Sequence, residues 1–249
     1  MKRSSGNYNL SSTKRYFVIA IDGPAASGKS TAAYLLAKKL GFTYLDTGAM
    51  YRALTWKVLE QGVNPEDESS ISQVASTLDI RLAACRDHPG TRVWVDGKEI
   101  SSLIRTPQVN RWVSQVSSIP GVRKALVEKQ REIARKTSVV AEGRDMGTVV
   151  FPEADVKIFL VASLEERARR RWKELQEKGI SCDLKKVKDE LYLRDKMDSE
   201  RETSPLKKAP DAHLLDNTRL DISSTLNELL KIVKSRIQVD QDQGDPLVV

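Results

Sequence analysis

The chain has 249 residues, 40% hydrophobic and 30% charged, enough for one large globular domain or a domain carrying an insertion. No apolar run approaches the ~20 residues that a membrane helix needs, so no membrane partner is expected. A net charge of +7 admits nucleic acid, an anionic surface or small phosphorylated substrates. With 6% aromatics and no RNA-recognition pattern, small phosphorylated molecules fit better than nucleic acid.

In chain order, the first 15 residues hold Lys2, Arg3, Lys14, Arg15 and several serines without an acid. They have too little amphipathic apolar content for a targeting helix, so a disordered polar tail over 1–15 is expected. Tyr16–Asp22 is a buried strand, and Lys29–Leu40 a helix that Gly41 caps. Thr43–Leu45 is a short strand and Ala49–Gln61 a helix. The texture changes at Gly62. A helix over Glu66–Leu78 precedes strands at Ile80–Ala84, Arg92–Val95 and Lys98–Ile100, the last two joined by Asp96-Gly97 as a tight turn. Helices follow over Thr106–Ser118 and Val122–Lys136, with Pro120-Gly121 between them. Strands at Ser138–Ala141 and Val156–Val161, helices at Leu164–Lys178 and Leu184–Arg201, a strand at Ala212–Leu215 and a helix at Thr225–Ile237 complete the pattern. The expected fold is α/β: a P-loop kinase core with a parallel sheet covered by helices on both faces. It comprises 16–61 and 122–236, with 62–121 as an inserted subdomain carrying a small β-sheet, and 237–249 as a loose tail.

Gly23-Pro24-Ala25-Ala26-Ser27-Gly28-Lys29-Ser30 fits G-x-x-x-x-G-K-[ST], between a strand and a helix as a phosphate-binding loop requires. Gly23 and Gly28 keep Cβ atoms away from the phosphates, and backbone N–H groups and the helix N-terminus face the anion. Lys29 reaches the β- and γ-phosphates, and the Ser30 hydroxyl holds Mg²⁺; Thr31 continues the cradle. There is no N-K-x-D guanine reader, and Asp87-His88-Pro89-Gly90 reads as a turn in the insertion, so a GTPase switch is discounted. Cys85 and Cys182 form no C-x-x-C pair, which suits thiols in a reducing cytoplasm. Neither His88 nor His213 has a partner at metal-ligand spacing, so no zinc site is expected.

What accepts the phosphoryl group is suggested by the arginines. A hydroxyl acceptor needs a nearby carboxylate to take its proton, whereas a phosphate acceptor is already anionic and needs positive charge around it. Arg52 lies near the first helix pair, and Arg144-Asp145 falls just after a strand, where sheet ligands bind. Arg194, Asp198 and Arg201 share one helix face at i, i+4, i+7. Arg167, Arg169, Arg170 and Arg171 crowd about one turn, and something anionic is expected to meet at least one of the Arg169–Arg171 run.

These residues resemble a known family, the bacterial-type cytidylate kinases. The resemblance rests on the phosphate loop, Leu45-Asp46-Thr47-Gly48-Ala49-Met50-Tyr51-Arg52, the run Glu142-Gly143-Arg144-Asp145-Met146-Gly147-Thr148-Val149-Val150-Phe151-Pro152, Lys157–Leu160, Glu166–Arg171 and Arg194-Asp195. It spans about Phe17 to Arg236 and implies ATP- and Mg²⁺-dependent phosphorylation of CMP and dCMP, in a core with an enlarged monophosphate-binding insertion and a lid near 167–201. By motif position it implies that Ser114, Arg123 and Asp145 read cytosine and that Arg194 and Asp198 hold the sugar. Thr47, Tyr51, Arg52, Arg144 and Arg201 would surround the acceptor phosphate, and Arg170, with Arg167 or Arg171, would come down from the lid. Two departures stand out. Thr47 replaces the more usual Ser, and the run between Arg194 and Arg201 is less basic than in relatives. A monomer is expected. The rivals are a kinase for UMP, AMP or a small alcohol, and a nucleotide-dependent RNA-binding protein whose affinity would be salt-sensitive.

Overall fold

The computed structural model describes residues 16–177 and 179–241. The N-terminal tail and residues 242–249 lie outside the described residues. Eight strands and eight helices run in the order β1 Val18–Asp22, α1 Lys29–Leu40, β2 Thr43–Asp46, α2 Thr47–Glu60, α3 Glu68–Thr77, β3 Ile80–Ala84, β4 Thr91–Val95, β5 Lys98–Glu99, α4 Pro107–Ser118, α5 Pro120–Ala134, β6 Val139–Gly143, β7 Val156–Val161, α6 Leu164–Glu177, α7 Leu184–Glu200, β8 His213–Asp216 and α8 Ile222–Gln241. Five strands form a parallel sheet in the order β2-β6-β1-β7-β8, and three form a separate antiparallel sheet, β3-β4-β5.

Alternation along the strands divides the core. Ile19, Ile21, Val140 and Ile158 face a layer in which α1 and α8 supply Ala33, Leu36, Leu229 and Val233. Ala20, Val139 and Ala141 face the other way, onto Met50, Leu54 and Val58 of α2 and Leu126 of α5. The insertion joins this second layer. Ile71, Val93, Val95 and Ile100 are fully buried or nearly so in the same cluster, so the expected boundaries at 62 and 121 cross one continuous core. A third, smaller cluster packs Ala25 of the phosphate loop against Ala168 of α6 and Val187 and Leu191 of α7.

Several elements shift from the sequence reading for identifiable reasons. Helix α5 begins at Pro120 rather than Val122, since proline fits the first helical positions where no N–H partner is needed. Helix α2 begins at Thr47 because the Asp46 side chain accepts from Ala49 N and caps it. Asp221 caps α8 through Ser224 N (2.7 Å), and that helix runs to Gln241, past its expected end at Ile237. Asp96 and Gly97 turn with φ of 50° and 81°, as a two-residue hairpin demands. One element escaped the sequence, a π-turn at Met146–Val150 directly after β6. The buried Asp22 carboxylate holds it, accepting from Met146 N at 2.7 Å and Gly147 N at 2.8 Å.

Candidate active site

The cradle formed by the phosphate-loop motif sits at the C-terminal end of β1. A Cβ on Gly23 would collide with the Leu160 carbonyl oxygen, and Gly28 turns the chain into α1 with φ 88°. No side chain caps α1, so its first N–H groups remain free for an anion. Lys29 Nζ donates to Pro24 O (3.0 Å) and lies 4.0 Å from Glu142 Oε2. Ser30 Oγ donates to Glu142 Oε1 at 2.8 Å. Burial, then the Arg144 charge, pushes the Lys29 ammonium below its ordinary value, with Glu142 opposing; burial pushes the Glu142 carboxyl up. Two side chains shore up the cradle from outside. Arg170 Nη2 donates to Asn217 O (2.8 Å), and the buried Asn217 amide donates to Ser27 O (3.0 Å). On the other side Asp195 Oδ1 accepts from Ala25 N (3.0 Å), while Arg167 pairs with Asp195 and donates to Ala25 O (3.1 Å).

The facing wall is cationic and drawn from four helices, α2, α4, α5 and α7, and the end of β6. Arg144 Nε donates to Asp198 Oδ2 (2.7 Å). Arg123 pairs with Asp145, donates to Ser117 O (3.2 Å) and stacks over the Tyr51 ring at 5.5 Å. Arg201 Nη2 stands 3.8 Å from Asp145 Oδ1. Arg52 is buried and held through Asn110. Arg194 Nε, Arg201 Nη2 and Tyr51 Oη are buried without a hydrogen-bond partner. Such atoms are costly to leave unmet. Burial and mutual repulsion push Arg52 down to about 9, with Arg194 and Arg105 the leading neighbours, and Arg194 down to about 10, with Arg144 leading. Burial works to raise Asp198, but Arg144 and Arg194 overcome it and hold the carboxyl below its usual value. Burial raises Asp145 against the pull of Arg123 and Arg201. Cradle and wall border one cleft of about 2060 Å³, several times a single small-ligand pocket and roomy enough for two nucleotides.

Residues 19–235 match the family described as Cytidylate kinase. The chain belongs to the cytidylate kinase family. It is 52% identical over 215 residues to a cytidylate kinase of Carboxydothermus hydrogenoformans, covering 86% of this chain and 96% of that one. It is 49% identical over 212 residues to a cytidylate kinase of Oceanobacillus iheyensis, covering 85% and 91%. A Synechococcus protein named bifunctional pantoate ligase/cytidylate kinase shares 45% over 223 residues, which is 89% of this chain and 41% of that longer protein. The chain is therefore a phosphotransferase of this family.

Against the motif-based expectations, the fold brings Ala25, Ala26, Gly28, Lys29, Ser30 and Thr31 to the cleft, along with Thr47, Tyr51, Arg52, Ser114, Arg123, Arg144, Asp145, Arg170, Arg171, Arg194, Asp198 and Arg201. Gly23, Pro24 and Ser27 form the outer shell of the loop. Pro24 and Ser27 accept through their carbonyls, and the Ser27 hydroxyl is buried without a partner. The Thr47 hydroxyl donates to Glu142 O (2.7 Å), so it must turn to meet a phosphate. Arg167 faces the loop backbone and Asp195 instead of the open cleft. Each of the Arg169–Arg171 run meets a carboxylate: Glu166 takes Arg169 and Arg170, and Glu174 takes Arg171. Cys85 and Cys182 are free. Among the described residues no cluster of three His, Cys, Asp or Glu could hold a metal by itself, and no helix is long and apolar enough to cross a membrane.

Sequence reasoning assigned no role to Glu142, Asp195, Asn110 and Asn217. Glu142 had a usable signal, an acid at the end of a fully buried strand next to the phosphate-loop strand. Asp195 was visible only as part of the Arg194-Asp195 motif, and Asn110 and Asn217 had no signal, because the contacts that matter, to Ala25, Arg52 and Ser27, lie 170, 58 and 190 positions away.

Proposed function

We propose that the chain transfers the γ-phosphoryl group of ATP to the phosphate of CMP or dCMP, giving ADP and CDP or dCDP. The observation that carries this reading is the set of unmet buried donors, Arg194 Nε and Arg201 Nη2, on a wall of mutually repelling arginines across from an uncapped helix N-terminus. One end suits a polyphosphate donor and the other an anionic acceptor. Neither needs a base, since the acceptor oxygen is already charged.

Lys29 and the loop N–H groups grip the donor phosphates. A phosphate arriving beside Lys29 and Arg52 offsets the burial and the like-charge repulsion that lower them, so substrate binding and charge stabilisation reinforce each other. Arg144 and Arg201 complete the positive surroundings of the transferring group, with Arg170 at its rim. Asp145 presents acceptor oxygens to the cytosine amine. Uracil would set an oxygen there, and a site built on a hydrogen bond rejects such a mismatch by orders of magnitude. Ser114 and Arg123 frame the same base, and Asp198 accepts from the sugar hydroxyls with Arg194 beside it.

Mg²⁺ fits the geometry at Ser30. The hydroxyl and the Glu142 carboxylate are 2.8 Å apart at the end of the cradle, hard oxygens that suit a cation still carrying phosphate and water ligands. When bound, the ion would supply positive charge that neutralises the donor phosphates. The protein acts as a cytoplasmic monomer on small molecules.

The test is coupled ADP release with ATP and Mg²⁺ on CMP, dCMP, UMP, AMP and no acceptor. Fast turnover is expected on CMP and dCMP, slow on UMP, and almost none without acceptor. Equal rates on UMP would remove the role given to Asp145, and release without acceptor would make the protein an ATPase.

A further inference from the structure

The arginines of the cleft are not held alike. Arg144 has Asp198, Arg123 has Asp145 and Arg170 has Glu166. Arg52 is buried yet has no ion pair among the described residues. Its Nη1 donates to Asn110 Oδ1 and, at 3.4 Å, to the Ile104 carbonyl. Asn110 lies in the first turn of α4, and its Nδ2 donates to Arg105 O at 3.2 Å. Only one orientation of the amide serves both contacts, oxygen toward the guanidinium and nitrogen toward the carbonyl.

The other charges nearby do not neutralise Arg52. Arg194, Arg105 and Arg144 repel it. Asp46 attracts it, but that carboxylate is engaged with Ala49 N at 2.8 Å and with Arg105 and Thr91 at 3.3 Å each. A carboxylate at position 110 would hold the guanidinium equally well and cancel much of its charge. An amide holds it and leaves the charge in place.

We propose that Asn110 is a positioning residue for the acceptor: a neutral anchor that fixes Arg52 against the cleft wall while reserving its full charge for the incoming phosphate. This rests on the reading of Arg52 as an acceptor-phosphate ligand.

The charge argument reverses the order that simple anchoring predicts. If Asn110 only held Arg52 in place, Asn110→Asp would keep the accepting oxygen and outperform Asn110→Ala. With the charge reserved, the aspartate is the worse of the two. The experiment is steady-state kinetics on the full chain for both variants, with CMP and ATP varied separately and inorganic phosphate as a competitor of CMP. N110D should raise KM for CMP tenfold or more and weaken phosphate competition by a similar factor, with KM for ATP within about twofold. N110A should raise KM for CMP about threefold and leave phosphate competition within about twofold. An aspartate that matches or beats alanine on CMP overturns the proposal. Should N110D fail to fold, Asn110→Ser, a neutral acceptor, stands in for it: a KM for CMP nearer the wild type than N110A supports a neutral anchor, and a KM equal to or above that of N110A overturns it. Wild-type protein without CMP turnover would sink the underlying functional reading instead, before either variant is compared.

Discussion

The two sides of the cleft are built to meet anions by different means. The phosphate-loop cradle, proposed for the donor, is mostly main chain, six residues between a strand and a helix, closed by Lys29 and Ser30. The facing wall, proposed for the acceptor, is side chain, arginines and carboxylates brought together from α2, α4, α5, β6 and α7. A main-chain cradle is set by local conformation and tolerates change around it. A side-chain wall depends on the packing of every element that contributes to it, and on the balance of charge among them. Damage to the cradle should therefore remove catalysis without unfolding the protein, whereas damage to the wall should cost specificity and stability together.

The largest expected effect is at the cradle. Lys29→Met should lower kcat/KM about 10³-fold or more by removing charge stabilisation of the transferring group. The melting temperature should hold or rise, because the buried ammonium is already disfavoured by burial and by Arg144. A large drop in melting temperature would mean that the cradle is no more independent than the wall.

Next comes Asp145→Ala. CMP should lose about 10²- to 10⁴-fold in kcat/KM, as expected for a lost hydrogen bond to the base, with KM for ATP within about threefold. The variant strands the buried Arg123, so denaturant melts should show a loss of about 3 kcal/mol. Equal damage to ATP and CMP would erase the distinction between the two sides.

Asp195 sharpens the comparison, since it belongs to both. It sits on α7 between Arg194 and Lys196, yet its carboxylate accepts from the phosphate loop at Ala25 N (3.0 Å). Asp195→Ala should raise both Michaelis constants together, by about tenfold. Asp195→Asn keeps an accepting oxygen for Ala25 but loses the ion pair with Arg167, and should fall between. A change confined to one substrate would show that α7 and the loop are not mechanically joined.

The smallest effect on turnover is expected from a pH dependence of stability. Burial holds the Asp22 carboxyl up at about 7, against the two backbone N–H groups it accepts from. Between about pH 4 and 7 the folded state keeps a proton that the unfolded chain has released. This group's contribution to stability therefore falls as pH rises through that window, by at most ~1.4 kcal/mol per pH unit, and is flat above it. Denaturant melts at pH 5 and 7 should show this fall in the wild type, and Asp22→Asn should lack it. An identical slope in both proteins would refute the assignment.

The legibility of the molecule follows the same division. Strand, glycine-rich loop and helix at the cradle are consecutive, and so are Asp96 and Gly97 in their hairpin; each was readable because its conformation is decided by neighbours in sequence. The π-turn was not, because it exists where Asp22 reaches across from β1 to take the Met146 and Gly147 N–H groups. Arg167 shows the limit within the arginine-rich helix. Residue type and helical spacing cannot say which of four arginines turns inward, and this one is spent on Asp195 and the Ala25 carbonyl.

By itself the sequence determined the α/β class, the phosphate loop and its register between β1 and α1, and, through motif resemblance, the residues bordering the cleft. These depend on short-range patterns of hydrophobicity and backbone freedom. Only the tertiary structure decided how charge is distributed among those residues: which arginines are neutralised, that Arg52 is held by an amide, that Glu142 faces Ser30, and that Asp195 joins α7 to the loop. Electrostatic balance in a buried site depends on distances between side chains far apart in the chain, and no local pattern records them.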